Sequence, residues 1–227
     1  MDFGYMIEVV PRLLPGLRIT IEVSAISLVL ATLIGIWLGV IRAYTKARNP
    51  LNWVLDAYVF FVRGTPIIVQ IFVLFFLAPE LGLRIDPYWV GIIALTFNSA
   101  GYQIEIGRAA VGSVGAAQFD ASLALGFSRR QTIWLVILPQ AVRRMIAPLT
   151  NEMSQLIKAS SVLSVITVFE LHKAANAISS ASFKYVELLA LQAVFYLVLI
   201  LSVSRFARWI ETSVLGAGEG AADFQVR

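Results

Sequence analysis

The chain has 227 residues, of which 59% are apolar and only 14% are charged. Since soluble domains average about a quarter charged residues, this composition is that of a membrane protein and excludes an ordinary soluble domain. The net charge of +4 is not gathered into a basic patch with interleaved aromatic residues, which argues against nucleic-acid binding, and the absence of cysteine excludes disulfides and thiolate metal sites.

Five apolar stretches predict membrane-spanning helices. Each can cross a hydrocarbon core of about 30 Å with about 20 helical residues, and lipid offers no hydrogen-bond partners to an open sheet edge. The predicted spans cover residues 18–42, 53–78, 87–110, 144–169 and 185–210. The sequence therefore predicts an all-α membrane domain over residues 1–211 and a cytoplasmic tail over residues 212–227. Ahead of the first span, Met1–Thr20 predicts a short helix on the outer surface.

The basic residues predict how these spans are oriented. With the N-terminus outside, most Lys and Arg residues fall on the cytoplasmic side, including Arg129, Arg130, Arg143 and Arg144. This is the distribution that the positive-inside rule requires. The C-terminus and the long segment 112–144, between spans three and four, are then cytoplasmic.

Span two contains Arg63-Gly64-Thr65-Pro66 near its middle. Pro66 cannot donate to the carbonyl of Val62, so a break in the helix is predicted here. The freed backbone groups could serve a substrate, but a kink needed for packing is the favoured interpretation. Because a buried guanidinium needs a counter-charge, and because the two residues lie at similar depths, an ion pair between Arg63 and Glu152 is predicted. Glu105 is the other possible partner, but it is expected nearer the cytoplasmic end of span three.

Polar side chains on spans three and four define a candidate solute path. Ionisable groups inside a membrane are costly and commonly line such paths, whereas the alternative is that they only hold helices together by hydrogen bonds. By helical spacing, the residues of each span share one face. The candidates are Asn98, Tyr102, Glu105, Asn151, Gln155, Lys158 and Ser161. The two interpretations are balanced for Asn151, Gln155 and Ser161, and a functional role is favoured for Lys158.

The cytoplasmic segment 112–144 predicts two short helices joined at a glycine corner. Residues 118–125 suit the first helix, Gly126 can end it in the left-handed conformation, and Ser128 with Gln131 fits a capping box for the second. Pro139 is expected to end the second helix. An amphipathic hairpin on the lipid headgroups is the alternative, but a docking element is favoured because a lipid-bound segment needs no tight corner.

This segment resembles the EAA loop of bacterial ABC importer permeases through Asp120-Ala121-Ser122, Gly126 and Ile137-Leu138-Pro139. Further motifs resemble those of the polar amino-acid uptake branch, the histidine/glutamine type. They are Arg63-Gly64-Thr65-Pro66, Glu105 with Arg108, Leu138-Pro139-Gln140, Asn151-Glu152, Lys158 with Ser160-Ser161, and Glu170-Leu171. The chain departs from the family in having Asp120 and Ser122 where Glu and Ala are usual. Asp120 keeps the negative charge but is one methylene shorter.

The resemblance implies a permease subunit of an ATP-driven importer for polar amino acids or related zwitterions in the bacterial inner membrane. It implies pairing with a second permease, identical or sister, and solute delivery by an extracytoplasmic binding protein. Two ATPase subunits are implied to dock through Gln118, Asp120, Ala121, Leu125, Gly126 and Ser128. The chain lacks a G-x-x-x-x-G-K-[ST] phosphate loop, so it is expected to be non-catalytic and to bind no cofactor, with ATP and magnesium on the ATPase.

Two other classes of function explain the sequence less well. A secondary transporter or channel that works without ATP accounts for the polar residues within the spans but not for the cytoplasmic loop with its glycine corner. An intramembrane enzyme lacks a nucleophile–base pair, because His172 is the only histidine and lies at a span end. No metal site can be assembled either. Gly35 and Gly39 are assigned to close helix packing, and Arg63, Gly64, Pro66 and Glu152 to structural roles within the membrane.

Overall fold

A computed structural model describes residues 2–45 and 48–213 of the chain. Its helices are α1 (Phe3–Tyr44), α2 (Pro50–Gly64), α3 (Ile67–Glu80), α4 (Pro87–Ser113), α5 (Ala116–Ala124), α6 (Arg129–Gln131), α7 (Leu138–Ala159), α8 (Leu171–Ser182) and α9 (Tyr185–Ser213). A π-helical segment, Thr132–Ile137, joins α6 to α7, and a 3₁₀ segment, Ser160–Ile166, follows α7. The described residues form no strand, which confirms the predicted all-α class for them. Residues 214–227 of the predicted tail lie outside the described part.

The apolar helices fit a membrane protein. α1 and α9 are each long and apolar enough to cross a membrane alone. Two bent helix pairs qualify when each pair is counted as one span: α2 with α3, bent by 107°, and Arg129–Ile166 with α8, bent by 51°. The predicted number of five spans remains a prediction.

α1 is one continuous helix of 42 residues. The prediction of a separate surface helix over Met1–Thr20 is therefore wrong for the described residues of that range. Pro11 and Pro15 lie inside α1 without ending it. The reason is tertiary packing, because Val9 and Leu13, one helical turn apart, are fully buried against α8 and α9.

α1 and α4 pack backbone against backbone. A Cβ built on Gly35 would lie 2.7 Å from the carbonyl oxygen of Ala100, and a Cβ on Gly39 would collide with the carbonyl oxygen of Ile104. Such distances require glycine, so the predicted close packing at these two residues is confirmed. This contact fixes the position of α4, the helix that carries all three candidate path residues of predicted span three.

The sequence predicts that the second helix of the segment 112–144 ends at Pro139, and this prediction is wrong. Pro139 instead lies in the first turn of α7, directly after the π-helical segment. The π-helical segment runs directly into α7, and the Leu138 N–H bonds to the carbonyl of Ile133, so the proline ring follows a widened turn instead of a regular α-helical one. Burial of Ala141 and Met145 against α1 and α4 then carries the helix onward. The segment 112–144 is consequently continuous with predicted span four.

Candidate functional site

The helix break between α2 and α3 builds one wall of the candidate site. At Thr65-Pro66 the chain turns through 107°, so the predicted break is confirmed. The buried side-chain amide of Gln70 lies within hydrogen-bond distance of the carbonyls of Val62 (3.1 Å) and Thr65 (3.2 Å) and of the Thr65 hydroxyl (2.8 Å). The carbonyl that Pro66 leaves unpaired is thus satisfied within the chain and is not free for a substrate.

Beside the break lies a cavity of about 540 Å³, here called the central cavity, between the α2–α3 break, α4 and α7. This volume falls within the range of about 300–1,000 Å³ that is usual for small-molecule sites. Its polar lining side chains are Arg63, Thr65, Asn98, Ser99, Tyr102, Glu152 and Gln155. The cavity therefore presents a guanidinium, a carboxylate, two amides and three hydroxyls.

A second row of polar groups holds the lining side chains in place. Ser99 donates to the carboxylate of Glu152 at 2.7 Å and accepts from the amide of Gln103 at 3.1 Å, and Gln103 is fully buried. On the other side, Asn98 donates to the side-chain oxygen of Gln70 at 3.1 Å. Sequence reasoning missed Ser99, Gln103 and Gln70. A polar residue inside the apolar α3, four positions after Pro66, was the signal for Gln70.

Arg63 and Glu152 both line the central cavity, yet the predicted ion pair between them is not formed. Within residues 2–45 and 48–213 no ion pair involves Arg63. Its guanidinium carbon lies 5.9 Å from the centroid of the Tyr102 ring, within cation–π distance. The prediction assumed a buried guanidinium, but Arg63 is exposed to the cavity and can be solvated there.

The structure brings only some of the predicted path residues together. Asn98, Tyr102 and Gln155 line the central cavity, together with residues assigned from the sequence to structural roles, namely Arg63, Gly64, Pro66 and Glu152. On α7 the lining stripe is Glu152, Gln155, Leu156 and Ala159. It is rotated from the predicted stripe, so Asn151 and Lys158 are exposed outside the cavity, and Ser161 donates to the carbonyl of Lys158 at 2.8 Å.

Glu105 belongs to a separate charged cluster. Arg42 of α1 pairs with Asp56 of α2 and with Glu105 of α4, and Arg108 pairs with Glu105 at 2.9 Å. The cluster adjoins a second cavity of about 520 Å³, here called the charged cavity. It is lined by Arg42, Asp56, Val59, Phe60, Arg63, Gly64 and Glu105. Glu105 is thus separated from Asn98 and Tyr102, although all three lie on α4.

The segment 112–144 has the predicted glycine corner. Gly126 has φ +88° and ends the short α5 after Leu125, and Ser128 forms the predicted capping box with Gln131. The residues assigned to ATPase docking are all exposed: Gln118, Asp120, Ala121, Leu125, Gly126 and Ser128. Ser122, one of the departures from the EAA pattern, is buried and donates to the carbonyl of Gln118 at 2.7 Å, so it does not face the exposed surface.

A family described as "Binding-protein-dependent transport system inner membrane component" matches residues 31–216. The chain belongs to this family. It is a non-catalytic permease subunit of an ABC importer in the inner membrane, and the ATPase of such an importer is a separate subunit. The resemblance to ABC importer permeases of the amino-acid uptake branch is confirmed.

Relatives of this permease are similar over almost their whole length. The glutamine transport system permease protein GlnP of Escherichia coli (strain K12) is 36% identical over 212 residues, which cover 92% of this chain and 96% of that protein. The arginine transport system permease protein ArtQ of Bacillus subtilis (strain 168) is 31% identical, with 93% and 96% covered. A chain of an amino acid ABC transporter crystallised with histidines has a TM-score of 0.85 at 28% identity, with 93% and 98% covered.

Proposed function

We propose that this permease imports polar amino acids or related zwitterionic solutes and that the central cavity is its solute site. The observation that carries the proposal is one cavity presenting Arg63, Glu152, Asn98 and Gln155 beside a broken helix. A zwitterion needs a cation for its carboxylate and an anion for its ammonium group, and side-chain amides can both donate and accept. Two relatives, an arginine transport permease and a glutamine transport permease, support this class of solute.

In the proposed topology the chain crosses the membrane five times. The spans are α1, the broken pair α2–α3, α4, α7 with its 3₁₀ extension, and α9. The N-terminus lies outside, and the C-terminal tail and the segment 112–144 lie in the cytoplasm, as the positive-inside distribution of Lys and Arg supports. Central-cavity residues from α2, α4 and α7 then lie within the membrane.

The proposed complex contains a second permease, two ATPase subunits and an extracytoplasmic solute-binding protein. Exposure of Asp120 and Leu125 beside the Gly126 corner supports ATPase docking there, with ATP and magnesium bound by the ATPase. Asn151 and Lys158 are exposed on α7 away from the central cavity, and we assign them, with Ser161, to a path shared with the second permease. Family membership supports the ATPase and binding-protein partners.

Uptake by the complete complex in proteoliposomes tests this proposal. Radiolabelled L-glutamine, L-arginine and L-histidine are supplied with the binding protein, with and without ATP on the ATPase side. In the Glu152→Gln variant the shape and the acceptor for Ser99 remain, but the charge is lost. Because a hydrogen bond to a charged group contributes about 1.5–3 kcal/mol, uptake is expected to fall about 10- to 100-fold.

Glu80→Gln, at an exposed residue outside the cavity, is the matched control and should transport normally. Uptake by the wild-type complex without ATP would favour a secondary transporter or channel instead. Unchanged uptake in the Glu152→Gln variant would remove the central cavity as the solute site.

A further inference from the structure

The central cavity and the charged cavity share one wall. Arg63 and Gly64, the last residues of α2, line both cavities. Along α4, Asn98 and Tyr102 line the first cavity and Glu105 lines the second. With a helical rise of 1.5 Å per residue, Glu105 lies about 10 Å beyond Asn98. The two cavities therefore succeed one another along α4 and meet at the end of α2.

Gly64 is a glycine for neither of the two usual structural reasons. Its backbone does not adopt the left-handed conformation that holds for Gly82, Gly115 and Gly126. A Cβ built on Gly64 meets no atom within 4 Å, whereas a Cβ on Gly35 would lie 2.7 Å from a backbone oxygen. The missing side chain of Gly64 thus leaves open space at the wall between the cavities instead of allowing two helices to approach.

Arg63 is the cationic side chain common to the two cavities. Among the described residues its guanidinium forms no ion pair, whereas Arg42 forms ion pairs with Asp56 and Glu105. A carboxylate that moves from one cavity to the other can therefore stay close to Arg63 throughout. Asp56 and Glu105 line the charged cavity and can each accept further hydrogen bonds, so they can receive the ammonium group of the same solute.

We propose that Gly64 is the doorway through which the solute leaves the central cavity, and that the charged cavity is its exit vestibule. This inference rests on the proposed function and deepens it. The solute class is one that carries both a carboxylate, held by Arg63 during the passage, and an ammonium group, received by Asp56 and Glu105. In the proposed orientation the charged cavity lies on the cytoplasmic side, which is the exit side of an importer.

The absence of cysteine from the chain makes a direct test possible, because a single introduced cysteine reports one position. The complete complex carrying Gly64→Cys is purified, treated with a bulky, charged methanethiosulfonate, and reconstituted for uptake of L-glutamine and L-arginine. Modification follows assembly, so a folding defect cannot be mistaken for a blocked doorway. The wild-type complex, treated in the same way, controls for cysteines on the other subunits.

The unmodified Gly64→Cys complex is expected to transport, and modification is expected to lower the maximal uptake rate at least about tenfold while the half-saturating concentration changes less than about twofold. Gly64→Leu should act in the same direction without reagent. Its control is Gly4→Leu, because a Cβ on Gly4 meets only the Asp2 carboxylate at 3.5 Å, an ordinary contact, and Gly4 lies at the start of α1 away from both cavities.

The outcomes separate the two proposals. If the wild-type complex imports amino acids but modified Gly64→Cys and Gly64→Leu transport at the wild-type rate, the doorway is refuted and the proposed function stands. Failure of the reagent to label Gly64→Cys, checked by mass spectrometry, also refutes the doorway because an exit must be open to water. If the wild-type complex imports no amino acid, the proposed function fails and the doorway fails with it.

Discussion

Replacing Gln70 by leucine removes the amide that stabilises the break between α2 and α3. Gln70 is 6% exposed, so leucine fills nearly the same buried volume without replacing any of its hydrogen bonds. The carbonyls of Val62 and Thr65 lose their donor, and the amide of Asn98 loses its acceptor. The variant therefore separates the effect of losing the hydrogen bonds at the break from any effect of changed packing.

The expected cost follows from these contacts. Side-chain hydrogen bonds within membrane proteins average about 0.6 kcal/mol each, with a maximum of about 1.7 kcal/mol. Leaving a buried acceptor such as the Val62 carbonyl unpaired costs about 1–3 kcal/mol. We expect Gln70→Leu to lower the free energy of unfolding by about 2 kcal/mol, with the larger share from the Val62 carbonyl.

Unfolding of the purified permease in detergent, followed by tryptophan fluorescence, measures this loss. Gln118→Leu, at an exposed position of α5, is the matched control and should change stability little. In the double variant with Asn98→Leu the cost should be less than the sum of the two single costs, because the second change removes the amide that the first left unpaired. Wild-type stability in Gln70→Leu would refute the role assigned to Gln70.

Two further predictions concern the Gly126 corner and the contact between Asp2 and Lys184. Gly126→Val places a branched side chain on a residue with φ +88°, at a strain of about 1–2 kcal/mol, so solute-stimulated ATPase activity should fall. Gly4→Val, at a helical residue far from this corner, should keep the activity. Normal activity in both variants would argue against docking at this corner. The hydrogen bond from Lys184 at 2.7 Å, followed by that from the Tyr5 N–H, lowers the pKa of the exposed Asp2 carboxyl below its usual value. A carboxyl group whose pKa is lower in the folded state stabilises that state at pH values above its unfolded-state pKa, and this stabilisation is lost as the pH falls through the lowered, folded-state pKa. In thermal unfolding, the small advantage of wild type over Asp2→Asn should therefore vanish at low pH, and it should shrink in high salt. A difference independent of pH would refute the assigned interaction.

Local rules predicted several features of the fold correctly. The break at Pro66, the left-handed Gly126 and the capping box at Ser128 each depend on residues within one or two helical turns. Such features can be predicted from the sequence because backbone hydrogen bonding and Cβ sterics involve only residues that are close together along the chain.

Features that depend on tertiary contacts were not predictable in the same way. Pro139 and Pro15 are strong local signals for a helix end, but packing of the surrounding residues overrides both of them. The lining stripe of α7 was placed one residue away because helical spacing gives a periodic face without saying which neighbour it meets. The ion pair between Arg63 and Glu152 was predicted because the sequence of one span does not show the cavity. Several helices form that cavity, and it is large enough for the Arg63 guanidinium to be solvated.

The contact between α1 and α4 restricts which second-site mutations can rescue a damaged interface. At Gly35 and Gly39 an added side chain would meet the backbone carbonyls of Ala100 and Ile104, which no substitution at those residues removes. At Gly101 the obstructing atoms belong instead to the side chain of Val62, 2.8 Å from a Cβ built there. A substitution that adds a side chain at Gly101 can accordingly be rescued by a smaller residue in place of Val62. A substitution at Gly35 or Gly39 cannot be rescued in this way, because the obstructing atoms belong to the backbone.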